Sequence, residues 1–283
     1  MKTIRLLYPD HVSGGLEAYH FGANLLQHIL PANPDQPLVR VELPPPDGRE
    51  KAVSQGIYAL DEVLSGIRDA QAKLAAARPD RVITLGGNCL VSLAPFDYLR
   101  GLYPELGIVW IDAHPDVSTV QDGYPYAHAM VLGALMGHGA PPLRDQRKNP
   151  PFRPDQLLYV GLQPMHAYQE QSLRRMGIPN QVQGDRPVDL GRIRDFLGRF
   201  DRVLVHLDVD VLDERRFHDT YFANPDLSGD GSGGGKLSMQ TLADVLATVT
   251  DGADVVGFTI AEYLPFDAYR LHKLFAGLPL FTR

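Results

Sequence analysis

Val109-Trp-Ile-Asp-Ala-His-Pro-Asp116 is the stretch that most strongly indicates the fold. Its first three residues are typical of the end of a buried strand, and they lead into Asp112, His114 and Asp116. Alternate side chains of an extended backbone point to the same side, so we expect these three to converge. Open α/β sheets bind ligands just beyond the carboxyl ends of their strands. Because two carboxylates and an imidazole are costly to hold together without a cation, the stretch predicts a divalent metal site.

A second predicted strand is also followed directly by acidic residues. Residues 203–207 are mostly apolar and precede Asp208, Asp210 and Asp213. Asp208 and Asp210 alternate, so the two strand ends can face each other across one metal site. A single Asp after a strand more often caps a helix or turns the chain, but carboxylates repeated at two strand ends repel one another and favour a metal. We interpret Asp213 as a structural residue of its loop and His206 as a buried histidine that packs in the core or supports a ligand.

The order of elements around these stretches predicts a parallel sheet. An apolar strand at 81–85 is followed by Gly86-Gly87, a helix at 91–103 and a second strand at 107–111. Strands that alternate with crossover helices are typical of parallel sheets in α/β proteins.

Two other stretches carry expectations about local structure. An apolar stripe predicts one long helix over 54–77. Residues 215–235 show no periodicity, and 226–235 are nearly all Gly, Ser and Asp. A loop of this length is usually either functional or mobile, and both interpretations stay open.

Composition excludes several classes of protein. The net charge of −7 argues against nucleic acid or an anionic membrane as the main partner. A single cysteine, Cys89, excludes an internal disulfide framework. The sequence shows no secretory leader and no apolar run long enough to span a bilayer. We therefore expect a cytoplasmic protein.

The two acidic motifs resemble the signatures of a known enzyme family. Residues 112–116 and 207–213 are similar to the two motifs of the ureohydrolases, which include arginase, agmatinase and formiminoglutamase. Further matches follow in the family's order: Gly86-Gly87-Asn88-Cys89, His128, Gly234-Gly235-Lys236-Leu237 and Ala261-Glu262-Tyr263-Leu264-Pro265. The resemblance is that of a divergent bacterial-type member. It implies a single arginase-like domain over residues 1–283, with a three-layer α-β-α fold whose mostly parallel sheet is flanked by helices, as in the related deacetylases.

The resemblance also implies a metal centre. Family members hold two Mn²⁺ ions that share a water or hydroxide, and hard divalent ions suit carboxylates, with His accommodated. Asp112 and Asp208 resemble the carboxylates that bridge the two ions. Asp116 resembles a ligand of one ion that also hydrogen-bonds the hydroxide, while His114 and Asp210 resemble ligands of the other.

The implied reaction is hydrolysis of a linear C–N bond in a guanidino or amidino compound, with release of urea or a related product. A metal-bound hydroxide attacks the planar carbon, and the intermediate collapses when the departing amine is protonated. Besides Asp116, the implied catalytic residues are Glu262, which pairs with the guanidinium, and His128, which carries a proton to the amine. Arginine, agmatine, hydroxyarginine and similar compounds stay open as substrates. Family members are often homo-oligomers, which leaves a homo-oligomer open here.

Cys89 is the main departure from the family, because it stands where the family has its remaining His ligand. A thiolate is soft, whereas Mn²⁺ prefers oxygen and nitrogen. Cys89 could still bind a metal, as in a hydroxyarginine-hydrolysing branch that also carries Cys here, and a softer ion such as Zn, Fe, Co or Ni could then take part. Alternatively, only the His114 ion binds, as in the single-metal deacetylases, or the chain is an inactive relative.

Overall fold

The computed structural model describes residues 1–227 and 231–282 of the chain. In chain order, its strands are β1 (Thr3–Tyr8), β2 (Leu38–Arg40), β3 (Val53–Ser54), β4 (Ile57–Tyr58), β5 (Arg81–Gly86), β6 (Leu106–Ile111), β7 (Leu157–Val160), β8 (Arg202–Asp208) and β9 (Asp254–Ala261). Its helices are α1 (Ala18–Ile29), α2 (Leu60–Ala77), α3 (Leu93–Leu102), α4 (Val131–Leu135), α5 (Pro141–Arg144), α6 (Ala167–Met176), α7 (Leu190–Leu197), α8 (Met239–Gly252), α9 (Phe266–Ala276) and α10 (Pro279–Thr282).

Seven strands of the described chain form one sheet in the order β2-β1-β5-β9-β8-β6-β7, and β3 pairs with β4 in a separate hairpin. Every pairing within the large sheet is parallel. After β5 the chain crosses to β6 and β7, and β8 and β9 then fill the gap. The strand order therefore changes direction in the middle of the sheet, which is where sheets of this kind bind their ligands.

Helices cover both faces of the sheet because the side chains of each strand alternate. In β6, Ile108 and Trp110 belong to one hydrophobic core together with residues of α2 and α3, whereas Val109 and Ile111 belong to a second core with residues of α7 and α8. All four side chains are fully buried. Burial of an aliphatic side chain of this size contributes roughly 1.5–3 kcal/mol. The predicted three-layer α-β-α fold with a parallel sheet is confirmed.

The hairpin of β3 and β4 replaces the start of the helix predicted over 54–77. Its two-residue turn is Gln55-Gly56, whose φ angles of 51° and 79° are both positive, as tight hairpins require. Ile57 fits the spacing of the helical apolar stripe, but it lies in strand β4 of the hairpin and is buried there. The helix begins at Leu60. Apolar spacing alone therefore placed its start too early.

The loop predicted over 215–235 falls partly on residues 228–230, which lie outside the described residues. Around them, the described part contains a short 3-10 turn, Tyr221–Ala223, and an isolated bridge between Gly235 and Asp213. Among the described helices, none is long and apolar enough to cross a membrane.

Candidate metal centre

The carboxyl ends of four neighbouring strands, β5, β9, β8 and β6, meet at one edge of the sheet. Asp208 pairs with Ala261 of β9, and Asp112 directly follows the last residue of β6. Cys89 and Glu262 come just after β5 and β9. The parallel topology therefore brings residues from distant parts of the chain to one place.

The loop after β6 is bent, not extended as the alternation of its side chains predicted. Asp112 Oδ1 accepts the backbone N–H of His114 at 2.6 Å, and its Oδ2 accepts the indole N–H of Trp110 at 3.0 Å. Asp116 has a φ of 51°, and its carbonyl accepts two N–H groups of α4 at 3.0 and 3.2 Å. A left-handed φ at a residue other than glycine costs roughly 1–3 kcal/mol and persists where neighbouring structure holds it, as α4 does here.

The second acidic motif also turns sharply instead of continuing β8. Val209–Val211 form one 3-10 turn, and Asp208 caps it by accepting the N–H of Asp210 at 2.7 Å. Gly235 packs against this turn and donates its N–H to the carbonyl of Asp210 at 2.7 Å. A Cβ at Gly235 would lie 1.9 Å from the carbonyl oxygen of Val211, so only glycine fits. This close approach explains the later Gly-Gly motif.

A buried network holds the turn that carries Cys89. A Cβ at Gly87 would lie 1.8 Å from the carbonyl oxygen of Asp10, so the two backbones approach as only glycine allows. Asn88 donates from Nδ2 to that same carbonyl at 3.1 Å. The carboxylate of Asp10 accepts the hydroxyl of Ser13 at 2.7 Å. The loop after β1 therefore fixes the position of Cys89.

Among the residues that the structure describes, the possible ligand atoms form three overlapping groups, and within each group they lie within 4.8 Å of one another. The groups are Cys89, Asp112, Asp116 and His206; Cys89, Asp208 and Glu262; and Asp112, His114 and Asp210. All six residues predicted as metal ligands therefore meet at this edge of the sheet. His206 joins them from β8, although the sequence interpretation kept it apart from the ligands.

Orphaned polar atoms and uncompensated charge show that the cluster fits cations. Within the described residues, Asp116 Oδ2 and His114 Nε2 are buried without a hydrogen-bond partner, which costs about 1–3 kcal/mol for each group. Burial and the neighbouring Asp112 raise the pKa of Asp116 well above its usual range, and burial and Asp210 do the same to Asp208. No described Lys or Arg forms an ion pair with the carboxylates of the cluster, and the basic groups beside Asp112 and Asp210 are histidines.

The thiol and the imidazole of the cluster already contact its carboxylates. Cys89 donates its S–H to Asp208 Oδ2 at 2.9 Å, and burial, with the charges of Asp116 and Asp208, raises the pKa of the thiol well above its usual range. His114 Nδ1 lies 3.0 Å from Asp210 Oδ2. Burial by itself lowers the pKa of His114, but the carboxylates of Asp210 and Asp112 outweigh it and raise that pKa well above its usual value. A bound cation would have to displace these protons.

Glu262 faces the cluster from the end of β9 and is held on several sides. It has a φ of 61°, and its N–H donates to the carbonyl of Gly87 at 3.0 Å. Its Oε1 lies 2.8 Å from His128 Nδ1, and its Oε2 accepts the hydroxyl of Tyr19 at 3.0 Å. The Tyr124 hydroxyl lies 3.0 Å from His128 Nε2. The two predicted catalytic residues Glu262 and His128 therefore belong to one hydrogen-bonded chain.

A cavity of about 300 Å³ opens above these residues. Its floor is formed by side chains of the cluster and by Glu262 and His128. Its walls include the aromatic side chains of Tyr19, Tyr124, Tyr126, Tyr221 and Phe222, together with polar and aliphatic residues such as Ser118, Gln169 and Leu227. None of the described residues that line it is Lys or Arg. The cavity therefore combines acidic groups with aromatic side chains.

Sequence reasoning missed several residues that support the site. Trp110 could have been found, because it lies in β6 two positions before Asp112, and alternate residues of an extended chain face the same side. Tyr19 comes from α1 and Tyr124 from the loop before α4, and no spacing in the sequence connects either of them to Glu262. The buried Asp10 and Ser13 likewise follow a strand that carries no acidic motif.

A model of the arginase family matches residues 50–271, which cover most of the chain and all six predicted ligands. The chain belongs to the arginase family. This membership confirms the resemblance of the two acidic motifs to those of ureohydrolases. The replacement of a His ligand by Cys89 in this arginase-family chain stays a prediction.

Curated arginases match parts of the chain. The arginase of Bacillus caldovelox is 29% identical over 124 residues, which cover 41% of this chain and 41% of that enzyme. The arginase of Saccharomyces cerevisiae is 28% identical over 103 residues, which cover 34% of this chain and 30% of that enzyme. This arginase-family chain therefore aligns with less than half of the length of these relatives.

Solved structures match the fold over nearly the whole chain. The arginase of Entamoeba histolytica, in complex with L-ornithine, has a TM-score of 0.77 at 17% identity and covers 93% of this chain and 91% of its own. The proclavaminate amidino hydrolase of Streptomyces clavuligerus has a TM-score of 0.59 at 19% identity, with coverages of 93% and 82%. At these identities, the likeness establishes an arginase fold.

Proposed function

We propose that this chain is a metal-dependent hydrolase that cleaves a linear C–N bond of a guanidino or amidino compound and releases urea or a related product. The main support is the meeting of six donor side chains at one edge of the sheet, five of which line the same cavity as Glu262 and His128. Membership of the arginase family favours the same class of reaction.

The donor set divides into two metal positions that share carboxylates. Asp112 belongs both to the group with Cys89 and Asp116 and to the group with His114 and Asp210, so in the proposed site it would be a ligand of both ions. Asp208 would likewise contribute to both positions, and the family's ion is Mn²⁺. Two bound cations would lower the pKa of a water between them and so supply a nucleophile at neutral pH.

Glu262 is proposed to hold the guanidinium. Its Oε2 accepts the hydroxyl of Tyr19 and its Oε1 lies beside His128 Nδ1. A carboxylate has about four acceptor sites, so each oxygen can take one more N–H. Two parallel hydrogen bonds to a planar guanidinium fix the plane of the substrate as well as its position. The reacting carbon would then lie over the cluster.

Asp116 and His128 are proposed to carry out the two proton transfers of the reaction. Asp116 Oδ2 is buried and has no hydrogen-bond partner among the described residues, so it can accept a proton from the nucleophile. His128 can give a proton to the amine as the C–N bond breaks and the new C–O bond is kept. Tyr124, at 3.0 Å from Nε2, would hold the imidazole in the orientation that this transfer needs.

The lining of the cavity bears on which guanidino compound is bound. L-Arginine carries a carboxylate, and none of the lining residues in the described ranges is a Lys or Arg that could pair with it. Buried charges without a partner are costly. The aromatic walls suit agmatine, whose terminal ammonium can lie against an aromatic face, or a simple alkylguanidine with an uncharged tail. We propose that such compounds are better substrates than L-arginine.

The decisive experiment combines metal analysis with a screen for urea release. The chain is purified, loaded with Mn²⁺ and assayed with arginine, agmatine, hydroxyarginine and simple alkylguanidines. Two equivalents of divalent metal and urea from a guanidine support the proposal. One equivalent of zinc with deacetylation of an amide and no urea would replace it with a deacetylase-like amidohydrolase, and no bound metal with no turnover would indicate an inactive relative.

A further inference from the structure

We propose, on the basis of the metal-dependent function above, that His206 is a nitrogen ligand of the ion beside Cys89, and that this position is a sulfur–nitrogen site selective for a softer ion such as Zn²⁺. The position of His206 on the sheet places it under the cluster. It lies on β8 two residues before Asp208, on the same side of the strand, and its side chain is fully buried.

The free ring nitrogen of His206 is directed at the cluster. Nε2 lies 3.9 Å from Asp112 Oδ2 and has no hydrogen-bond partner within the part of the chain that the structure describes. The same nitrogen lies within 4.8 Å of the ligand atoms of Cys89, Asp112 and Asp116. Two bonds to zinc of about 2.0–2.3 Å span at most about 4.6 Å, so these ligand atoms can share one ion after small shifts of their side chains.

The other side of the ring is fixed as in known metal-binding histidines. His206 Nδ1 lies 2.8 Å from Ser92 Oγ, so Nδ1–H can donate to the hydroxyl and leave the lone pair on Nε2. The ring also stacks on Trp110, with centroids 3.7 Å apart and planes 6° from parallel. A metal-bound His usually has its second nitrogen held by a polar partner, which sets both tautomer and orientation.

Packing against Trp110 alone does not explain why residue 206 is a histidine. A buried nitrogen without a partner costs about 1–3 kcal/mol, which an apolar ring of similar size stacked on Trp110 would avoid. A cation beside Cys89 would give Nε2 a partner and remove that cost. Cys89 and His206 provide one sulfur and one nitrogen, and Asp112 and Asp116 provide two carboxylates. Four such ligands suit tetrahedral zinc.

The two metal positions would then differ in chemistry. The group of Asp112, His114 and Asp210 offers only oxygen and nitrogen, which suits Mn²⁺. The Cys89 position offers a thiolate and a buried imidazole, which favour Zn²⁺ or Co²⁺. Cys89 replaces the family's His ligand, and His206 on β8 would supply a nitrogen at the same metal position. Together they would give this chain a mixed-metal centre.

Zinc X-ray absorption and metal competition on the full chain can test this assignment. We expect the wild-type protein to hold one Zn²⁺ in preference to Mn²⁺, with one sulfur and one imidazole as ligands. His206→Phe keeps a ring against Trp110 but has no nitrogen, so it should lose the imidazole signal, keep the sulfur and lose more than about 100-fold in Zn²⁺ affinity. Ser92→Ala, which removes only the orienting hydroxyl, should lose roughly 10-fold to 100-fold. His138→Asn, at an exposed histidine outside the cluster, should match the wild type.

The possible outcomes separate this proposal from the proposed function. Zinc bound by sulfur and oxygen without an imidazole in the wild type would overturn the role of His206, whether or not the variant folds. Unchanged zinc affinity in His206→Phe would overturn it as well, and either result leaves a metal-dependent hydrolase intact if guanidines still release urea. A wild-type chain that binds no divalent ion would instead overturn the proposed function itself.

Discussion

His128 Nδ1 lies 2.8 Å from Glu262 Oε1, although the two residues are 134 positions apart in the chain. This contact couples the carboxylate proposed to bind the guanidinium to the imidazole proposed to protonate the amine. Tyr19 donates to the second oxygen of Glu262 at 3.0 Å, and Tyr124 lies 3.0 Å from the second nitrogen of His128. Both oxygens of Glu262 and both ring nitrogens of His128 therefore have a partner. Substitution of these residues or of their partners should change the rate of the reaction.

Glu262→Gln should weaken binding of the guanidinium far more than it weakens the fold. Glutamine keeps the shape of the side chain but removes the charge, and hydrogen bonds to charged groups are worth about 1.5–3 kcal/mol. We expect a loss of about 10-fold to 100-fold in kcat/KM, much of it in KM, with a similar melting temperature. Steady-state kinetics with the best guanidine substrate would measure it. Unchanged KM and kcat would remove Glu262 from the site.

Tyr124→Phe should alter the pH profile of kcat with little change in KM. The hydroxyl that lies beside His128 Nε2 is lost while the aromatic wall of the cavity stays. Tyr126→Phe is the matched control, because Tyr126 lines the same cavity and its ring centroid lies 6.4 Å from that of His128. Equal profiles for the two variants would contradict an orienting role for Tyr124.

Asp112→Ala and Asp208→Ala should each abolish metal binding and turnover. Asp112 belongs to two of the three ligand groups, and Asp208 lies within 2.9 Å of the Cys89 thiol in another. Removing either carboxylate relieves repulsion among like charges but leaves buried N–H groups without an acceptor, so the metal-free variants should be no more stable than the metal-free wild type. Metal content by mass spectrometry and thermal unfolding after chelation check both expectations. Full turnover in either variant would show that the metal assignment is wrong.

The sequence allowed the fold and the place of the site to be predicted, because both depend on regular features. Apolar runs at 81–85 and 107–111, separated by a glycine turn and a helix, were enough to indicate a parallel sheet with a site at its carboxyl edge. The local geometry was not predictable in the same way. Asp116 reaches the site through a left-handed φ of 51°, and Asp210 does so from a 3-10 turn.

Long-range contacts limited the prediction of supporting residues. Tyr19 meets Glu262 only because α1 packs beside the end of β9, and nothing in the local sequence of either residue indicates that contact. His206 was interpreted from its depth in the strand, whereas its contact with Ser92 depends on a helical turn in another part of the chain. Strand periodicity predicts which face of the sheet a side chain lies on, but it does not predict which residues that side chain contacts.

Asp213 should contribute a pH-dependent part of the stability. The guanidinium of Arg215 donates to its carboxylate at 2.8 Å through two nitrogens and lowers the pKa of Asp213 to about 2. Because this folded value lies below the unfolded value of about 3.9, the ionised carboxylate stabilises the fold above about pH 4, and this stabilisation is lost as the pH falls through about 2. Asp213→Asn should lower the free energy of unfolding near neutral pH by up to about 1 kcal/mol, since Arg215 is exposed.

Urea unfolding at several pH values would check this expectation. The difference between the wild type and Asp213→Asn should be constant near neutral pH and should shrink between about pH 4 and the lowest pH at which the wild type stays folded. A difference that grew in acid would contradict the assigned ion pair.

Cys89→His should shift the metal preference toward Mn²⁺. The thiol is 2% exposed and contacts Asp208, so an imidazole at this position would place a nitrogen beside the same carboxylates. Nitrogen is a better ligand than sulfur for Mn²⁺, and we expect the Mn²⁺ affinity to be retained or raised while the preference for zinc falls. Cys89→Ser is the matched control, because it keeps the size of the side chain and replaces the soft sulfur with oxygen. Competition between the two ions during reconstitution would measure the change. A clear loss of Mn²⁺ affinity in Cys89→His, with no loss in Cys89→Ser, would mean that the position cannot accommodate an imidazole and is built around a smaller ligand.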